Sequence, residues 1–165
     1  MDEELLCGLE NFEDVWRRVR GEAPPAVPAR RTVPTPQSRL LCALMDEKCA
    51  QSRLYAALAR CCTASRNDLE RLAREERRQF RALQLEYFLI TGACHRAGAG
   101  CAHFTDVKNG LRMAWLHERE LAARMEGEAA SAGATLRETL QRLAKEDEAH
   151  ARRLYAVLQR CFCSG

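Results

Sequence analysis

Leu9, Phe12, Val15, Trp16 and Val19 recur three and four residues apart, the spacing that lines one face of a helix. Residues 3–20 are therefore expected to form a short amphipathic helix. All five prolines of the chain, Pro24, Pro25, Pro28, Pro34 and Pro36, follow it closely, so residues 21–37 read as an extended Pro-rich linker. Beyond the linker the chain is free of proline and rich in Ala, Leu, Arg and Glu, a composition that favours helix. Four long helical segments are expected at 38–62, 67–91, 107–131 and 135–162. Turn chemistry separates them: Thr63 to Asp68, a Gly-rich stretch at 92–106, and Ser131-Ala132-Gly133-Ala134. Thr135-Leu136-Arg137-Glu138 is a capping box, and Thr105-Asp106 or Asn67-Asp68 can cap the segments that they precede. The expected architecture is all-α, an antiparallel four-helix bundle over 38–163, since an α-solenoid would need more repeats.

The segments are related in pairs. A shift of 71 residues lays Leu69-Glu70-Arg71-Leu72-Ala73-Arg74-Glu75-Glu76 over Leu140-Gln141-Arg142-Leu143-Ala144-Lys145-Glu146-Asp147, with five of eight positions identical. The same shift sets Glu47 on Glu118, Arg53 on Arg124 and Leu83 on Leu154. The bundle thus reads as two related helix hairpins about a pseudo-twofold axis.

Composition narrows the function classes. Apolar residues at 47% and charged residues at 30% exclude disorder, and no apolar run is long enough to span a membrane. The 26 basic and 23 acidic residues alternate within the same segments, so they read as a solvated, i,i+4-paired helix surface and not as a nucleic-acid surface. The acidic Met1-Asp2-Glu3-Glu4 start is unlike a secretory signal, which makes a cytoplasmic location the expectation and the nine cysteines free thiols. No P-loop, dinucleotide fingerprint or Ser-His-Asp arrangement is present.

The chemistry lies in the repeat. Glu76 coincides with Asp147, and Gln79, three residues on, coincides with His150; Glu47 and Glu118 each stand upstream by the same interval. Residues i and i+3 share a helix face. A binuclear site in a bundle takes one carboxylate from each of two helices and an acid-x-x-His pair from each of the other two. Carboxylates then bridge two cations about 3.5–4 Å apart.

From Cys42 to Phe162 the chain resembles the rubrerythrin-like branch of the ferritin-like di-iron proteins, in particular its small single-domain bacterial members. The resemblance rests on Met45-Asp46-Glu47 with Tyr55-Ala56-Ala57-Leu58-Ala59, on Leu72-Ala73-Arg74-Glu75-Glu76, and on Glu86-Tyr87-Phe88-Leu89-Ile90-Thr91-Gly92. It continues through Leu111-Arg112-Met113-Ala114-Trp115-Leu116-His117-Glu118 and Glu146-Asp147-Glu148-Ala149-His150. It implies a ferritin-like bundle with metal ligands at Glu47, Glu76, Glu118, Asp147 and His150, and Glu76 and Asp147 as the bridging pair. It also implies one or two iron ions, with manganese as an alternative, and an oxidoreductase of ferroxidase or peroxidase type that reduces dioxygen or peroxide.

Gln79 replaces the first histidine of the family pattern and Asp147 replaces a glutamate. A neutral amide is a weaker ligand than imidazole, so Gln79 is expected as a weak ligand or a neighbour of the ligands, and the site as holding one metal, two, or none. There is no C-x-x-C pair for a rubredoxin-type centre, so electrons must come from a separate donor protein or from ferrous iron itself. A homodimer is compatible with the pattern; no nucleic acid and no membrane is expected as partner. Arg53 and Arg124 are candidate counter-charges for buried acids. Cys94 and Cys101, with His95 and His103 beside them, carry zinc-ligand chemistry in an unusual spacing and alternatively a redox pair. The competing reading of the whole is a non-catalytic bundle with a vestigial metal site, acting through its thiols or the Trp16 helix.

Overall fold

In the computed structural model the described residues are 34–162. The expected amphipathic helix at 3–20 and all but the end of the expected linker lie outside them. The described residues form four long helices and no strand: α1 Pro36–Cys61, α2 Arg66–Thr91, α3 Val107–Ala129 and α4 Ala134–Phe162. A short 3-10 turn, Thr63–Ser65, links α1 to α2.

The ends of the helices follow local chemistry. α1 begins two residues earlier than the pattern of prolines suggested, because Pro36 occupies the first turn, where its missing N–H has no intrahelical role. Thr35 caps it, accepting from Ser38 N at 3.1 Å, while Ser38 Oγ returns a bond to Thr35 O at 3.0 Å. Asp106 caps α3 by accepting from Asn109 N at 2.8 Å. α4 starts at Ala134 and runs through Thr135, with Arg137 N donating to Gly133 O, so the capping-box position is already helical. α2 ends at Gly92, whose φ of 68° is the left-handed conformation that closes a helix with least strain.

α1 packs on α2 and α3 on α4 as hairpins, and α1 faces α3 while α2 faces α4. The Gly-rich stretch at 92–106 is more than a turn, because it runs the length of the bundle. His95 meets Asp46, Gly98 and Gly100 accept from Arg53, and Phe104 reaches the Leu58 and Gly110 region at the far end. This crossover makes every adjacent pair antiparallel. Gly110 permits this close approach, since a Cβ would lie 2.8 Å from Leu58 Cδ2 and 3.1 Å from the Phe104 ring and would force those side chains to shift.

Two apolar clusters fill the interior. One holds Leu41, Leu44, Met45, Leu83, Leu121, Met125, Leu140 and Leu143; the other holds Tyr55, Leu58, Leu69, Leu72, Leu111, Leu154 and Val157. Each fully buried Leu contributes about 1.5–3 kcal/mol. Between them lies a layer of buried polar side chains. No helix among the described residues is long and apolar enough to cross a membrane.

Candidate metal centre

Glu76 on α2, Glu118 on α3, and Asp147 and His150 on α4 are all buried, and one ligand atom from each falls within 4.8 Å of the others. It is the one cluster of three or more metal-ligating side chains found among the described residues. His150 Nδ1 lies 2.8 Å from Glu76 Oε1, 3.7 Å from Glu118 Oε2 and 3.9 Å from Asp147 Oδ1. Its Nε2 faces outward to Glu75 Oε2 at 2.9 Å, and Arg153 holds the same carboxylate at 2.5 Å. A carboxylate on the outer nitrogen fixes ring orientation and leaves Nδ1 as the inward-facing nitrogen. The Tyr55 hydroxyl, fully buried, donates to Glu118 Oε1.

The fifth charged member was not anticipated. Lys48 on α1 is fully buried, and its Nζ donates to Asp147 Oδ1 at 2.6 Å and Oδ2 at 2.5 Å, with Glu76 Oε2 at 3.3 Å. It supplies the counter-charge expected of Arg53 and Arg124: Arg53 instead binds the crossover carbonyls, and Arg124 is exposed.

Glu47 is not part of the cluster. Its side chain is 40% exposed and pairs with His117 Nε2 at 3.0 Å. The physical reason is register. In α1 and α3 the buried positions Leu41, Leu44, Lys48, Gln51, Ser52 and Tyr55 correspond to Leu111, Ala114, Glu118, Leu121, Ala122 and Met125, a shift of 70 residues. In α2 and α4, Leu69, Leu72, Ala73, Glu76, Gln79 and Leu83 correspond to Leu140, Leu143, Ala144, Asp147, His150 and Leu154, a shift of 71. The first hairpin is one residue shorter across its turn, so the counterpart of Glu118 is Lys48 and not Glu47.

Gln79 is buried beside this layer, where Nε2 donates to Glu146 Oε2 at 3.1 Å and Oε1 has no hydrogen-bond partner. Cys94 and Cys101 are exposed, and His95 is engaged with Asp46 at 2.9 Å. Neither belongs to a metal-ligating cluster of the described residues.

The protonation pattern follows from this geometry. Burial alone would lower the His150 imidazolium, but Glu118 and Glu76 outweigh it and push the ring up to about 10. Burial pushes the Asp147 carboxyl up to about 6, with Lys48 opposing the rise and Glu118 adding to it. The Lys48 ammonium is opposed by burial yet held above its ordinary value by Glu76, Asp147 and Glu118. Tyr55 is raised well above its ordinary value by burial and then by Glu118, so its hydroxyl stays protonated as a donor.

A two-cation centre does not fit these residues. One of its terminal carboxylates is replaced by the Lys48 ammonium, and one imidazole by the Gln79 amide. A single cation does fit. Glu118 Oε2 is a buried oxygen with no hydrogen-bond partner, and such an atom calls for a ligand; Glu76 Oε2 also accepts no hydrogen bond, although the Lys48 ammonium faces it at 3.3 Å. Comparison of the chain with protein-family models, with curated proteins and with solved structures gave no match in any of the three.

Proposed function

We propose that the bundle is a ferritin-like protein that holds one divalent cation, iron or manganese, through Glu76, Glu118, Asp147 and His150, with Lys48 standing in for a second. The charge of the buried layer carries this reading. Three carboxylates against one ammonium leave two negative charges in an apolar interior. One divalent cation cancels them when His150 binds as neutral imidazole. A second cation would leave buried positive charge in excess, which is costly.

Other features support the reading. A set of carboxylate oxygens and one imidazole suits iron or manganese. The single long crossover between two hairpins is the connection found in ferritin-like bundles. A bound iron would supply electron transfer to dioxygen or peroxide, the oxidation chemistry that the family resemblance implies, with ferrous iron or a donor protein as reductant. The chain's own part is to hold and orient. Glu75 sets the His150 ring, Tyr55 occupies one Glu118 oxygen, Lys48 restrains Asp147, and the two apolar clusters exclude water.

Lys48 also supports a second reading. With Lys48 and a protonated His150 the layer is within one charge of neutral without metal, as a non-catalytic bundle with a vestigial site would be. Thermal melts with and without ferrous iron under argon separate the two. A cation that binds only the folded chain stabilises it by about 2.7 kcal/mol at a hundred times its Kd, so Tm should rise, and the rise should vanish in His150→Ala. An unchanged Tm selects the vestigial site.

A further inference from the structure

Cys62 and Cys161 are 99 residues apart in sequence, yet their sulfurs lie 3.5 Å apart. Cys62 is the residue that ends α1, its N–H donating to Leu58 O, and its side chain is buried; Cys161 is in the last turn of α4 and half-buried. Ser65 Oγ lies 3.7 Å from the Cys161 sulfur. The pair therefore joins the two hairpins at the end of the bundle remote from the α3–α4 turn. Closing a disulfide requires the sulfurs to approach from 3.5 Å to about 2.05 Å.

We propose that Cys62 and Cys161 are a redox modification site, a dithiol that hydrogen peroxide converts to a disulfide clasp between the hairpins. Cys161, the more accessible thiol, attacks peroxide; the O–O bond breaks, Cys161 becomes a sulfenic acid and one water leaves. The Cys62 sulfur then displaces the hydroxyl, the S–S bond forms and a second water carries away the remaining thiol proton. Two electrons pass from the two sulfurs to one peroxide, and a dithiol reductant reverses the process. Burial, and then Cys161 beside it, raise the Cys62 thiol, in keeping with its place as the second and not the attacking sulfur. This inference stands independently of the metal reading.

The bond would close a loop from the end of α1 through α2 and α3 to the last turn of α4, and long loops lose the most denatured-state entropy. The test treats the full chain with hydrogen peroxide, then reads intact mass, non-reducing peptide maps and Tm. The expected result is a loss of about 2 Da and a Tm raised by on the order of ten degrees, both reversed by dithiothreitol. Both must persist in Cys61→Ser and Cys163→Ser and be lost in Cys62→Ser and Cys161→Ser. If those last two variants melt early when reduced, the peptide map of the unmutated chain decides. A cross-link through Cys61 or Cys163, or a linked chain whose Tm does not rise, overturns the proposal.

Discussion

Lys48 and Asp147 stand on helices diagonally opposed across the bundle, and the ammonium of one bridges both carboxylate oxygens of the other. Because both are fully buried, neither charge can turn to water if its partner is removed. Lys48→Met should therefore destabilise the metal-free protein by about 3–5 kcal/mol, measured by urea unfolding. Added ferrous iron should restore part of that loss in Lys48→Met, since the cation takes over the missing positive charge.

Metal-free stability should fall as pH rises. The folded chain retains the His150 proton up to about 10, whereas the unfolded chain releases it near 6.5, so this contribution is full below 6.5 and lost on passing through 10. Asp147 acts with the same sign at lower pH, because its folded value of about 6 exceeds the ordinary 3.8. Urea midpoints measured from pH 5 to pH 10 should decline throughout, and His150→Gln should flatten the alkaline part.

Cation affinity should respond to Glu75 and ignore Glu47. Glu75 bonds the outer nitrogen of His150, and loss of such a partner weakens metal sites by about 10–100-fold, so Glu75→Gln should show that drop in ferrous titration. Glu47→Gln removes only a half-exposed pair with His117 and should leave metal content and affinity unchanged. An equal loss in the two variants would return Glu47 to the ligand set.

The helices, their pairing into hairpins and four of the buried ligand-type residues were legible in the sequence, because helical period and the repeat both record burial. Lys48 was not. A single shift of 71 residues fits α2 and α4 and misaligns α1 against α3 by one position, a helix rotation of about 100°, which exchanges Glu47 for Lys48. The signal that could have found it is the apolar stripe Leu41, Leu44, Tyr55 and Leu58, with Lys48 falling on that stripe and Glu47 beside it. The Cys62 and Cys161 pair was equally hidden, since only the crossover brings the ends of α1 and α4 together. The 92–106 stretch reads locally as a Gly-rich turn, and its length along the bundle follows from tertiary contacts with Asp46 and Arg53.

The most direct test is metal stoichiometry by elemental analysis after anaerobic loading with ferrous iron and desalting, on the unmodified chain and on Lys48→Glu. The account predicts one ion per chain, and a second in Lys48→Glu, where the restored carboxylate becomes the counterpart of Glu118. Two ions in the unmodified chain, or none in either protein, would contradict it.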